Sequence, residues 1–246
     1  MDIDTCILNS WILYSLRELL GTQVVRNRLL KIVYSKKPNI VIGKTFGSES
    51  SYKDLGTYVK KILNNKTKKL YFFTSSNLSS DYRGEFQTHY QTFVLDKMNK
   101  KLYAYDPSYD ARSDKSLYKT IATDFLNNLV EKYGYTTYKI SPGEAMQISK
   151  QDVFCQTWSL MVQGQIKFDP ETFDIDIPLY SAVKNQSDRY KILLEFYKAI
   201  LSIKLNCKDF KEIFKENVVD QTEEIKSIDP CKYVLETMNY IDFFPC

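Results

Sequence analysis

Histidine is nearly missing from this sequence: among 246 residues there is one, His89. A zinc site built on imidazoles needs more, and the five cysteines (Cys6, Cys155, Cys207, Cys231 and Cys246) form no CxxC pair, so thiolate ligation of a metal fits poorly too. Their odd number and wide spacing also argue against a disulfide framework. Glycine (8) and proline (7) are too sparse to mark a long flexible linker, and no internal repeat is visible. Charge of one sign is not concentrated anywhere. The 34 basic and 30 acidic residues leave a net charge of +4 without the clustered stripe that a nucleic-acid groove needs, so nucleic-acid binding has only generic polyanion attraction behind it. A long hydrophobic run is lacking as well. The N-terminal stretch MDIDTCILNSWILYSLRELLG has no basic leader and interleaves its apolar residues with Asn9, Ser10, Ser15, Arg17 and Glu18, which excludes a signal peptide or a membrane span. The terminal FFPC places its cysteine last, whereas prenylation needs it four from the end. A reducing, cytoplasmic setting without a membrane partner is expected, with the sequons at Asn65, Asn77 and Asn185 unused.

What is present is apolar mass: 43% of the residues are hydrophobic and 14% aromatic, enough to build a substantial core. Ile7, Leu8, Trp11, Ile12, Leu16, Leu19 and Leu20 recur at helical spacing, and Tyr52 to Leu63 repeats that pattern. KKLYFFTSS reads as a buried strand. Thr88 to Ser108 has two apolar runs around a Lys/Asn-rich turn, which predicts a hairpin. Leu117 to Tyr133 carries one apolar helical face, and Gly134 is placed to stop it. YTTYKI then returns to the sheet, and helix resumes near Cys155 and runs to about Gly164. An acidic loop from Phe168 to Pro178 precedes the helix-patterned DRYKILLEFYKAILSI. This order of elements predicts an α+β fold.

The chemistry gathers at the hairpin and at DVFCQTWSLM. With a turn near Met98 and Asn99, antiparallel partners have numbers that sum to roughly 195 to 198, which sets His89 opposite about residues 106 to 109. Cross-strand neighbours are close enough for the Asp106 carboxylate to orient the imidazole. Asp110 is a nearby competitor, and Asp96 sits on the turn side, out of reach. Cys155 follows Asp152, a natural N-cap, which would stand its sulfur in the first turn of a helix. Thiols so placed beside an imidazole ionise readily, and thiolate is the attacking species. The Cys155 backbone amide, with a side-chain amide from Gln147 or Gln151, could supply an oxyanion hole. Taken singly these residues are commonplace: a cysteine beside Phe154 is usually core, and Asp before Pro107 usually a turn former. Only their order, spacing and context together point to catalysis.

HYQTFVLDKMNKKLYAYDPS resembles the histidine-to-aspartate segment of the SUMO-specific (Ulp-type) and adenovirus-maturation (adenain-like) cysteine proteases, and the order His89, Asp106, Cys155 is theirs. QISKQDVFCQTWSL resembles the nucleophile segment of relatives from large DNA viruses, among them the poxvirus core protease and the African swine fever virus polyprotein protease. The resemblance covers about residues 70–165. Tyr90 stands where the family usually has tryptophan, and Phe154-Cys155-Gln156 where Ulp-type members have Asp-Cys-Gly. The family's oxyanion glutamine commonly lies six residues before the nucleophile, where this chain has Ser149; a loop longer by two would bring in Gln147, preferred here to Gln151.

The resemblance implies the Ulp/adenain-like fold, a central mixed sheet flanked by helices with the nucleophile at a helix N-terminus. It implies a protease domain over residues 1–206 and a helical extension over residues 207–246. The implied catalytic residues are Cys155, His89 and Asp106, with no metal or other cofactor. The implied activity is cleavage of a viral structural or core polyprotein after small residues, of the Gly-Gly or Ala-Gly kind, during virion maturation in host cytoplasm or virion. The alternatives are an isopeptidase acting on a ubiquitin-like modifier, and a non-catalytic virion protein that retains the fold.

Overall fold

The computed structural model describes residues 23–34, 39–46, 52–80, 86–110, 113–116, 121–140, 145–147, 154–165, 167–168 and 175–176, with positions 189, 192, 193 and 196. Two compact units divide the chain, one formed by residues 1–32 with 185–246, the other by residues 33–184. Helix α1 (Gln23–Val33) lies in the first but for its last residue; all other elements named here belong to the second. The helical patterns read at Ile7 to Leu20 and across DRYKILLEFYKAILSI lie outside the described residues, apart from the four isolated positions in the latter.

The second unit is α+β. Its sheet has five strands in the order β1 (Ile40–Phe46), β2 (Leu70–Ser80), β3 (Phe86–Asp96), β4 (Lys101–Tyr105) and β7 (Thr136–Ile140). The sheet is mixed: β2–β3 and β3–β4 are antiparallel, whereas β1–β2 and β4–β7 are parallel. Each parallel neighbour is reached through a helix, α2 (Tyr52–Asn64) between β1 and β2 and α3 (Ile121–Glu131) between β4 and β7, as a parallel crossover requires. Between β4 and α3 lies a small hairpin of β5 (Tyr109–Asp110) and β6 (Lys115–Ser116).

Strand alternation sorts the sheet's side chains into two faces. Tyr71 and Phe73 of β2, Phe93 and Leu95 of β3, and Leu102 and Ala104 of β4 share a cluster with Leu55, Val59 and Ile62 of α2 and Leu126, Leu129 and Val130 of α3. Within it Phe73 stacks on Phe93 with ring centroids 5.3 Å apart. From the alternate positions, Thr74 and Thr92 meet helix α4 (Cys155–Gln165), where the Gln163 amide donates to Thr74 Oγ1 at 3.1 Å, to the Phe73 carbonyl at 3.3 Å and to Thr92 Oγ1. These bonds satisfy a fully buried amide and pin the helix to the sheet's centre.

The turn at residues 97–100 is centred where the Lys/Asn-rich stretch put it. Buried Asp96 organises it, accepting from the backbone amides of Met98 (2.8 Å) and Asn99 (3.1 Å) and from Asn99 Nδ2 (2.8 Å). Lys97 Nζ donates to the Ile62 carbonyl at 2.6 Å and to those of Leu63 and Asn65, closing the end of α2. Gly134 has φ +76°, ends the turn after α3, and explains why the chain reverses there. Gly43 sits within the register shift of β1, where a Cβ would stand 2.2 Å from Tyr58 Oη and 2.9 Å from the Phe72 carbonyl. One local expectation fails: the acidic stretch read as a plain loop contains a two-residue ladder, β8 (Lys167–Phe168) with β9 (Ile175–Asp176). Segments this short carry no periodicity to read.

Candidate active site

The β3–β4 ladder runs Asp96↔Lys101 to Thr92↔Tyr105, with partner numbers summing to 197 throughout, inside the expected range. β4 ends at Tyr105, and Pro107 turns the chain away. Asp106 therefore stands at the mouth of the hairpin, and His89, three residues beyond the last paired residue of β3, reaches it. His89 Nε2 and Asp106 Oδ1 are 2.7 Å apart, with both residues buried. The ring nitrogen donates and the carboxylate accepts. Asp110 lies in β5, opposite Lys115 in the β5–β6 register, and Asp96 stays with its turn.

The carboxylate takes more than the histidine. Asp106 Oδ1 also accepts from the Ser108 backbone amide and hydroxyl, each at 2.8 Å. Oδ2 accepts from Ser116 Oγ at 2.8 Å and Gln91 Nε2 at 3.3 Å. Sequence reading did not single out these three residues. Gln91 was legible in principle, two positions from His89 and hence on the same strand face, and Ser108 fits the habit of an aspartate bonding the amide two residues on. Ser116 gave no signal, because a two-residue hairpin brings it in.

Cys155 is the first residue of α4 and is buried. The Phe154 carbonyl accepts the first helical bond, from the Trp158 amide at 2.9 Å, so Phe154 occupies the N-cap position expected of Asp152, which lies outside the described residues. The first-turn amides have no helical acceptors by construction, so the helix presents its positive end beside the sulfur. Cys155 is among the groups that raise the His89 pKa, which sets the thiol in the electrostatic neighbourhood of the imidazole. α4 is held here by Gln163 at its far end and by Ser159, whose hydroxyl donates to the Tyr90 carbonyl at 3.3 Å, one residue from His89.

Burial is the largest influence on His89 and lowers its pKa. The charge and hydrogen bond of Asp106, followed by those of Cys155, outweigh it and push the value up to about 10. For Asp106 burial is again the largest influence and raises the pKa, but the charge and hydrogen bond of His89, with the Ser108 and Ser116 bonds, bring it below the ordinary carboxylate value. The imidazolium's contribution to stability is therefore complete below the unfolded value of 6.5 and is lost as pH rises through about 10. That of Asp106 is complete above its unfolded value and is lost as pH falls through the folded one. Thermal unfolding should show the largest Tm gap between wild type and His89→Gln at about pH 6, shrinking toward about pH 10. A pH-independent gap would mean that the imidazolium adds nothing to folding.

Gln147 is buried, and its backbone amide donates to the Pro107 carbonyl at 2.9 Å, next in the chain to Asp106. The loop before α4 is thus tied to the hairpin that carries the carboxylate. Gln151 lies outside the described residues. Among the described residues no group of three His, Cys, Asp or Glu side chains could hold a metal ion, and no helix is long and apolar enough to cross a membrane.

The second unit is thus an α+β domain with a hydrogen-bonded histidine and aspartate at one end of its sheet and a buried cysteine at the first residue of α4. No family model and no curated protein matches the sequence. Among solved structures it is similar to the SUMO protease Ulp1 with its catalytic cysteine oxidised to a sulfenic acid (TM-score 0.42, 13% identity, 82% of this chain and 95% of that one). It is also similar to the Legionella pneumophila effector RavZ (TM-score 0.41, 12% identity, 92% and 82%). A third similar structure is HopZ1a in complex with IP6 and CoA (TM-score 0.34, 13% identity), of which this chain spans 42%.

Proposed function

We propose that the protein is a cysteine endopeptidase in which Cys155 is the nucleophile, His89 the acid and base, and Asp106 the residue that orients His89. The observation that carries this reading is the buried 2.7 Å bond between Asp106 and His89, with Cys155, at the start of α4, among the groups that raise the His89 pKa. In the reaction the Cys155 thiolate adds to a peptide carbonyl carbon, and the oxyanion that forms is met by the Cys155 backbone amide and the Gln147 side chain, with Gln151 the alternative donor. The carbon–nitrogen bond breaks as His89 passes its Nδ1 proton to the leaving amine, which leaves a thioester. Water then attacks the thioester, its proton goes to His89, and the carbon–sulfur bond breaks to release the acid and the thiolate. Asp106 stays ionised throughout.

For substrate we propose a viral structural or core polyprotein cut after small residues during virion maturation, on the strength of the QISKQDVFCQTWSL resemblance. The protease domain then covers residues 1–206 and the helical extension residues 207–246. A peptide vinyl sulfone ending in Gly-Gly should form a covalent adduct on Cys155, identified by mass spectrometry, and the adduct should be lost in His89→Ala. No adduct, or labelling indifferent to His89→Ala, would leave a non-catalytic virion protein as the better account. Much faster labelling by a full ubiquitin-like modifier carrying the same warhead would favour the isopeptidase.

A further inference from the structure

Asp106 accepts five hydrogen bonds, and only one comes from the residue it serves. A carboxylate has about four lone-pair sites, so this one is saturated, which holds it both ionised and fixed in orientation. Four of the five donors come from β3 or from the residues that directly follow β4. The fifth, Ser116, arrives from the far strand of the β5–β6 hairpin, and its hydroxyl also lies 2.5 Å from that of Ser108. That hairpin's other visible ties are exposed. Tyr109 Oη donates to Asp114 Oδ1 at 2.8 Å, and Lys139 pairs with the same oxygen at 3.2 Å while lying 5.0 Å from the Tyr109 ring centroid. Exposed contacts of this kind hold a segment weakly. The part-buried serine-to-carboxylate bond thus ties the hairpin's far strand to Asp106 as well as supporting the carboxylate.

We propose that Ser116 is a positioning residue of the triad: with Ser108 and Gln91 it keeps Asp106 an oriented anion beneath His89, so that the imidazole stays aligned for its work on Cys155. The proposal rests on the protease reading above. The titratable group bonded to Asp106 is His89 of β3, with Cys155 of α4 among the groups that act on it; Lys115 and Asp114 are the charged residues nearest Ser116 in the chain, and Asp110 lies opposite Lys115 in the hairpin register. Without the Ser116 hydroxyl one oxygen of the carboxylate loses a neutral donor, protonation of Asp106 becomes easier, and His89 should lose its anionic partner at a higher pH.

The test is the rate at which iodoacetamide alkylates Cys155 across the pH range, followed on its own peptide by mass spectrometry because the chain has five cysteines. The acid limb of the wild-type profile is the reference. Ser116→Ala should move the acid limb upward by about one pH unit, the scale of a lost hydrogen bond to a charged group, and Ser116→Thr should restore it. Ser108→Ala, which removes the neighbouring hydroxyl, is read in the same way should Ser116→Ala not fold. A uniform change in rate with the acid limb unmoved in both alanine variants would overturn the positioning role and leave the protease reading intact. A Cys155 alkylation rate equal in wild type and His89→Ala at every pH would overturn both.

Discussion

His89→Ala should lower kcat/KM for peptide cleavage by about 10⁴-fold or more, and Cys155→Ala should reduce cleavage to background. The size of the first loss follows from composition and geometry together. This chain has a single histidine, so no second imidazole can move into the place of the first. Asp106 holds the imidazole through Nε2, and in the proposed reaction that same ring serves Cys155, so its removal ends activation of the thiol and proton delivery to the leaving amine in one step. Asp106→Asn should cost less, because an amide oxygen can still accept from Nε2, although the four other donors must then share the site with an NH2 group. Steady-state assays on all three variants, with circular dichroism to confirm folding, decide the matter. A His89→Ala enzyme within tenfold of wild type would rule out the imidazole as proton carrier.

The parts of this site that sequence could disclose were those governed by local rules. Strand pairing has a period of two and a turn fixes the register, so the Lys/Asn-rich turn was enough to bring His89 near Asp106 before any coordinate was known. Sequence pattern likewise exposed the helix that begins at Cys155. What stayed hidden is what tertiary structure assembles. Ser116 meets Asp106 only because a hairpin of two residues per strand folds back, and such segments are shorter than the period that would reveal them. Gln163 reads as an ordinary polar residue near the end of a helix, yet it is buried and bonded to two strands, since the helix lies across the sheet rather than at its edge. Phe154 occupies an N-cap position for which it has no propensity, while Asp152 was the residue with the right chemistry; burial of the aromatic ring outweighs the missing cap.

Trp158→Ala should destabilise the fold by about 3 to 5 kcal/mol, the range for emptying a large aromatic site in a core. Trp158 is fully buried one helical turn beyond Cys155, and its amide makes the first bond of α4 to the Phe154 carbonyl. Domains of this kind are stable by about 5 to 15 kcal/mol, so the loss is a large share of the total and should appear as a marked fall in the urea midpoint. Trp158→Phe keeps most of the apolar volume and should cost far less. The pair separates two roles of the ring. If it only fills space, the phenylalanine variant should label at Cys155 like the wild type, and the alanine variant should do so wherever enough of it remains folded. If the ring also levels the helix so that the thiol meets His89, labelling of the folded alanine variant should fall more than the unfolded fraction explains, because the helix start can settle into the space left beneath it. The close fit of α4 on the sheet, with Gln163 pinning one end and Ser159 bonded beside His89 near the other, favours the second outcome. A midpoint unchanged in Trp158→Ala would mean that the side chain is not packed in the core at all.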